Sequence, residues 1–320
     1  MAPHRPLALV ALALLLSRGA LAWQTPLPGT PGVSRPFGVA VDTAGDVVVA
    51  GRAVVAAGND DAVLAKLSGV DGALRWQHTF AGTAAASDLL RAVTTDANRS
   101  VIAGGQLLNT GTAGDLLVTC FDAAGTQGWR VELDGGGADE DGAQAVAVDP
   151  VGSVLVAAQM TPQGTTRVRF TVLKLAAADG ATAWRTELPG EPGTARAIAL
   201  DGDAVYAAGD VAGKIAVVKL AAVSGAPVWQ QTNLTGSADG AHVGRAVAVG
   251  GGRVVVAGRV TNLSTGPDFA VVALDATTGD EAWRYVLDGT ATGTADTDDA
   301  FTVAVDADGN VVAAGSLGNV

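Results

Sequence analysis

Six times along the chain a short run alternates Val, Ala or Thr with other small residues and stops at an Asp or Gly: Gly38–Asp42, Ala92–Asp96, Ala145–Asp149, Ala197–Asp201, Ala246–Gly250 and Thr302–Asp306. A period of two marks a strand with one face buried. Tight-turn sequences follow, such as Thr43-Ala44-Gly45-Asp46 and Ala307-Asp308-Gly309-Asn310, good hairpin loops. Further short pieces rich in Val and Ala come next, separated by Gly, Asp, Asn and Thr. In the fifth unit the four pieces are Ala246–Val249, Arg253–Ala257, Phe269–Leu274 and Trp283–Leu287. No stretch between the pieces sustains a helical period, which disfavours strand–helix–strand units.

Tryptophans keep a second count in the same register. Trp76, Trp129, Trp184, Trp229 and Trp283 stand 53, 55, 45 and 54 residues apart. Two independent markers at one period predict an all-β architecture: a β-propeller of four-stranded antiparallel blades, five full repeats plus a half repeat. Residue size suits this geometry, with Val and Ala in the crowded first strand and Trp in the fourth, where blades splay. An indole there covers the neighbouring sheet and has an N–H to place on a loop. All five are read as blade packing rather than as a ligand platform.

The most regular stretch, Ala273–Trp283, reads A-x-D-x-x-T-G-x-x-x-W. Lys174–Trp184 keeps Gly180 and Trp184, with Asp179 in the Thr place; Lys219–Trp229 keeps Gly225 and Trp229, with Ser224. Lys66–Trp76 keeps Gly72 and Trp76, and Phe121–Trp129 is one residue shorter, with Asp122, Gly125 and Trp129. This unit resembles the tryptophan-docking repeat of pyrroloquinoline-quinone-type propellers. It is also similar to the repeats of bacterial exported propellers, which share the AVAVD–G–VVVAG opening. The resemblance runs from Arg35 to Val320. It implies the fold and a structural role for the Trp, and no cofactor by itself. The quinone-dependent dehydrogenases among such proteins usually carry a vicinal cysteine pair, a Ca²⁺ set of Glu, Asn and Asp, and eight blades. This chain has one cysteine, Cys120, and no position onto which that active site carries over.

Met1–Ala22 stands apart. His4 and Arg5 precede a short apolar run, Leu7–Leu16, and Ala20-Leu21-Ala22 is an AxA cleavage signal, so residues 1–22 read as a signal peptide. The run is too short to span a membrane. Cleavage is expected before Trp23, which lies out of register with the five repeated tryptophans. Residues 23–34, with three prolines, read as an extended lead-in, and 35–320 as the repeat domain. Secreted or periplasmic localisation follows. The chain opens with a first strand and closes with a second, which predicts an open ring or a truncated product; Trp23–Ser34 is a candidate for a missing strand.

Net charge is −12 over 320 residues, and cleavage would remove Arg5 and Arg18 but no acid. Such a balance argues against nucleic acid and anionic membrane surfaces as partners. Cys120 reads as a small buried hydrophobe. Acidic loops between units hold Asp88, Asp139-Glu140-Asp141, Asp239 and Asp296/Asp298/Asp299. Asp88, Asp141, Asp239 and Asp299 are the candidate cation ligands, with Ca²⁺ the ion, and solvated turns the plainer reading. His78 and His242 lie in different units, so no zinc cluster forms, and no GxSxG elbow or phosphate loop appears. Neither catalytic nor cofactor-binding residues are assigned. Three sequons, at Asn98, Asn233 and Asn262, are placed in turns as possible glycosylation sites. The function expected is a non-catalytic exported propeller that binds or scaffolds a protein or glycan. The alternative is a quinoprotein-like oxidoreductase or a carboxylate-based glycan-acting enzyme.

Overall fold

A computed structural model describes residues 23–26, 34–56, 59–137, 139–189, 192–289 and 298–318. The signal-peptide reading and most of the lead-in fall outside these residues. Among them are 22 strands and no helix. The first blade comprises β1 (Arg35–Val41), β2 (Val47–Ala56), β3 (Asn59–Leu67) and β4 (Leu74–Phe80). The second comprises β5 (Leu89–Thr95), β6 (Val101–Asn109), β7 (Ala113–Phe121) and β8 (Gln127–Leu133). The third comprises β9 (Gly142–Val148), β10 (Val154–Met160), β11 (Arg169–Leu175) and β12 (Thr182–Glu187). The fourth comprises β13 (Gly193–Asp201), β14 (Ala204–Val211), β15 (Lys214–Ala221) and β16 (Pro227–Leu234). The fifth comprises β17 (Val243–Gly250), β18 (Arg253–Asn262), β19 (Gly266–Asp275) and β20 (Glu281–Leu287), and the sixth β21 (Asp299–Val305) and β22 (Val311–Ser316). Five sheets are four-stranded, each ordered first to fourth along the chain, and the last has two strands. This is the β-propeller repeat expected, five blades and a half.

The chain divides into two compact units, Met1–Val154 with Ala176–Ala181, and Leu155–Leu175 with Thr182–Val320. In the first unit β5 lies against both β1 and β9; in the second β17 lies against both β13 and β21. Within each unit, consecutive blades therefore adjoin through their first strands. The core lies between successive sheets. In the first unit Val48, Ala50 and Leu64 of one blade meet Leu90, Val101 and Phe121 of the next. In the second, Tyr206, Ala208 and Val217 meet Val254, Val272 and Leu274. Each such side chain contributes roughly 1.5–3 kcal/mol on burial, less for Ala.

In four hairpins the Asp that ends the alternating run has a local task. Asp42 Oδ1 accepts from the N–H of Ala44 at 2.8 Å and of Asp46 at 3.0 Å, and Asp149 and Asp306 repeat the pattern in their own hairpins. The Gly that closes each VVVAG run answers to a bulge. First strands shift register at Pro36/Gly38, Leu90/Ala92, Ala195/Ala197, Gly244/Ala246 and Ala300/Thr302. Opposite the bulge a Cβ on Gly258 would lie 1.9 Å from Val243 O, and one on Gly105 would lie 2.0 Å from Leu89 O. Only glycine fits there.

Candidate functional site: the junctions between blades

Each repeated tryptophan is the third residue of the blade's fourth strand, and the first four reach onto the turn between third and fourth strands of the next blade. Trp76 Nε1 donates to Ala123 O (3.4 Å), Trp129 to Ala177 O (3.0 Å), Trp184 to Ala222 O (3.1 Å) and Trp229 to Ala276 O (3.2 Å). The ring covers a glycine of positive φ: Gly125, Gly180, Gly225 and Gly279 respectively. A Cβ on any of them would strike the indole at 2.6–2.8 Å. Four of the five thus dock on the next blade's turn. Trp283 is 40% exposed, and among the described residues its indole has no carbonyl acceptor.

Trp23 corrects the sequence reading. It is not out of register. Its Nε1 donates to Gly69 O at 3.2 Å, its ring lies over Gly72, and Thr25 Oγ1 donates to Gly72 O at 2.6 Å. Thr186 makes the same bond to Gly225 O two residues after Trp184. Trp23–Thr25 therefore docks as the end of a fourth strand does, although it pairs in no sheet.

Lysines reinforce three docks. Lys66 Nζ lies 3.4 Å from Ala123 O, Lys174 Nζ 3.1 Å from Ala222 O and Lys219 Nζ 2.8 Å from Ala276 O, the carbonyls that also receive the indoles. Lys66 is buried and ion-paired with Asp42 at 2.7 Å. Burial raises the Asp42 carboxyl, but the Lys66 bond and the turn N–H groups outweigh it and hold it below the ordinary range. These lysines were part of the quoted repeat, yet alternation along a strand gave no reason to assign them a partner.

The loops that join blades hold the acidic candidates. Asp88 is buried and accepts from Gly82 N (2.7 Å) and Leu108 N (2.6 Å). Burial pushes its carboxyl up, the two N–H groups pull it down, and Asp61 raises it further. Asp298 likewise accepts from Gly289 N and Gly318 N, both at 2.6 Å. Asp141 is buried and accepts from Gly135 N. In the junction before the fifth blade His242 takes the same place: its Nδ1 accepts from Gly236 N (3.3 Å) and Thr261 N (3.0 Å). These side chains pin the linking loop to the hairpin beside it.

Asp239 lines an open pocket of about 490 Å³ with Arg259, Thr261, Asn262 and Pro267. Asp299 is buried against Arg245 (2.5 Å) and Arg259 (3.8 Å), so arginine charge faces it. Asp296 lies outside the described residues. Carboxylates come together elsewhere. Asp115, Asp134 and Asp141 form one group, and Asp268, Asp288 and Asp298 another, each with ligand oxygens within 4.8 Å of one another. Sequence reading named Asp141 and Asp298 but missed Asp115, Asp134, Asp268 and Asp288, of which Asp115 and Asp268 sit inside third strands.

The remaining polar candidates are placed as follows. Asn98 is exposed in the β5–β6 turn. Contrary to expectation, Asn233 lies within β16 and Asn262 ends β18. Asn233 Oδ1 accepts from Lys214 Nζ at 2.7 Å. Both ends of the Asn262 amide are engaged, with Ser237 and Asp268. The cause is strand length: these strands run further than their apolar runs. His78 stacks on Phe121 with ring centroids 4.4 Å apart and contacts Gly125 O. Cys120 is half-buried in β7, and burial, then Asp96 and Asp122, push its thiol up to about 11.

Residues 213–319 match the family model described as outer membrane protein assembly factor BamB. No curated protein matches the chain in sequence. Among solved structures, BamB from Moraxella catarrhalis is similar at 15% identity and TM-score 0.53, over 89% of this chain and 78% of that one. The Cps50 (Swd1) β-propeller domain from Myceliophteria thermophila is similar at 10% identity and TM-score 0.52, over 89% and 81%. A europium-containing methanol dehydrogenase gives 14% identity and TM-score 0.49 over 80% of this chain; the chain spans 53% of its length. At these identities the likeness is one of fold.

Proposed function

The repeat is of the pyrroloquinoline-quinone-like propeller type, and on that premise we propose that the chain is an exported, non-catalytic module that binds a protein partner. A single observation carries this reading: at three blade junctions the polar side chain just before or opening the next blade holds backbone. Asp88, Asp298 and His242 each give their acceptors to two N–H groups, and the indoles give their donors to turn carbonyls. What is left on the surface suits contact rather than chemistry. One face of β1 presents Phe37, Val39 and Val41 to solvent, Val39 at 65%. Exposed apolar stripes of this kind mark association surfaces, and aliphatic side chains suit a protein better than a glycan. A net charge of −12 opposes nucleic acid. Export rests on the cleavage pattern at Ala20-Leu21-Ala22; no helix among the described residues is long and apolar enough to cross a membrane.

The test is a photo-crosslinker at Val39 in the source organism. One defined polypeptide should be captured, and Phe37→Asp with Val41→Asp should abolish capture while leaving the fold intact by circular dichroism. Absence of any adduct, together with dye reduction by the quinone-loaded protein on an alcohol, would establish the oxidoreductase reading instead.

A further inference from the structure

We propose that the two junctions with three aspartates, Asp115–Asp134–Asp141 and Asp268–Asp288–Asp298, are binding sites for a divalent cation, with calcium the ion they suit. Each group takes one carboxylate from the start of a third strand, one from just after the fourth strand, and one from just before the next blade. In both, the ligand oxygens lie within 4.8 Å of one another. Three negative charges at that spacing repel strongly wherever water is partly excluded.

A second observation points to a ligand. Asp115 is 8% exposed and Asp268 is 1% exposed. One oxygen of each is satisfied by its hairpin. Asp115 Oδ2 accepts from Asn109 Nδ2 (2.7 Å) and Thr112 Oγ1 (3.0 Å), and Asp268 Oδ2 from Asn262 Nδ2 (2.5 Å) and Thr265 Oγ1 (2.6 Å). The other oxygen, Oδ1 in both, is buried with no hydrogen-bond donor. A buried carboxylate oxygen left unpaired beside two more carboxylates is costly. The Asn and Thr thus hold each carboxylate by one oxygen and leave the other without a donor. The same device is built at both places from one N-x-x-T-x-x-D spacing, Asn109–Thr112–Asp115 and Asn262–Thr265–Asp268.

The other junctions supply an internal contrast. Asp115 pairs across the sheet with Leu107, and Asp268 with Val260. In the fourth blade the same register position is Lys214, opposite Val211, and in the first it is Asp61, opposite Ala53. The Lys214 junction has Thr235 and His242 in the other two places, so a fixed ammonium accompanies the loss of the carboxylates. In the Asp61 junction Ala81 replaces the middle Asp, and the group is incomplete. An all-oxygen set with several carboxylates is hard-cation chemistry, and calcium fills its six to eight positions with waters as needed. Zinc sites are built mainly on His nitrogen or Cys sulfur, and these groups hold neither.

The full chain, stripped with chelator, is titrated with calcium chloride by calorimetry, with magnesium chloride in parallel. Two calcium ions should bind per chain, more tightly than magnesium. Asp134 and Asp288 are exposed, so Asp134→Asn and Asp288→Asn spare the packing; each should remove one ion or weaken it roughly tenfold or more. The Asp115→Asn/Asp268→Asn pair should remove both. Unfolding temperature should rise with calcium in the parent and not in the double variants. No binding at millimolar calcium would overturn the proposal, as would unchanged stoichiometry in the Asp134→Asn/Asp288→Asn protein. So would a calcium-independent stabilisation by those substitutions with no ion bound, which would mean that the carboxylates share a proton.

Discussion

Lys219 and Trp229 donate to one carbonyl oxygen, that of Ala276, with Nζ at 2.8 Å and the indole Nε1 at 3.2 Å. They are cross-strand partners in β15 and β16. Each therefore backs the other: remove one donor and the acceptor stays satisfied. Lys219→Met and Trp229→Phe should each cost about 1–2 kcal/mol, and the double variant should exceed their sum by roughly 1 kcal/mol, because only then is a buried carbonyl orphaned. Urea unfolding of the four proteins measures the coupling. Simple additivity would show that the two bonds are independent.

The glycine beneath the indole is fixed by two constraints. Gly225 has φ +70, and a Cβ would lie 2.6 Å from the Trp184 ring. Gly309 has φ +84 and open space around it. Gly309→Ala should cost about 1–2 kcal/mol from backbone strain, and Gly225→Ala roughly 2–4 kcal/mol from strain plus overpacking. Combining Gly225→Ala with Trp184→Leu should recover part of the difference. Equal losses at the two glycines, read from chemical denaturation, would leave the indole contact without energetic weight.

The repeat was legible because its landmarks do local work that recurs at a fixed period. Asp42 and Asp306 cap hairpins, Gly258 sits under a bulge, and Trp229 docks, so each residue type is forced wherever the geometry recurs. Charged residues whose partners lie in the next blade or its junction were harder to read. Lys66 and Lys219 look like solvent-facing strand positions, yet their ammonium groups reach a neighbouring turn. Asp115 and Asp268 look like interruptions of apolar strands. His242 shares with Asp88 only the capacity to accept two N–H bonds, which no residue-type pattern displays. Trp23 escaped because the three prolines that follow it erase strand periodicity, although it stands 53 residues before Trp76.

Trp23 and Trp283 carry the same side chain in opposite circumstances. Trp23 covers Gly72, packs on Val47, Val49 and Leu67, and donates to Gly69 O. Trp283 is 40% exposed. Trp23→Ala should cost roughly 2–4 kcal/mol, and Trp283→Ala about 1 kcal/mol or less. Thermal unfolding of the two variants against the parent decides it. A larger loss for Trp283 would mean that it is covered in solution.

Acid sensitivity should concentrate at His242. Its Nδ1 accepts from Gly236 N and Thr261 N, so the folded chain requires the neutral ring. Burial lowers its pKa from the ordinary value of 6.5; the Ala238 carbonyl opposes that shift, Arg284 and Lys214 add to it, and Asp239 opposes it. The unfolded chain thus takes up the proton first as pH falls. Stability from this residue is complete above about 6.5 and drains away as pH drops through the lower folded value. His242→Asp restores the acceptor used at Asp88 and Asp298 and stays ionised across this range, with Lys214 and Arg284 beside it. The parent should lose more unfolding temperature than His242→Asp between pH 7 and pH 5. His242→Ala, which leaves both N–H groups orphaned, should be less stable by roughly 2–4 kcal/mol at pH 7 and insensitive to this titration. Parallel pH profiles for parent and His242→Asp would show that the ring is not the group that titrates.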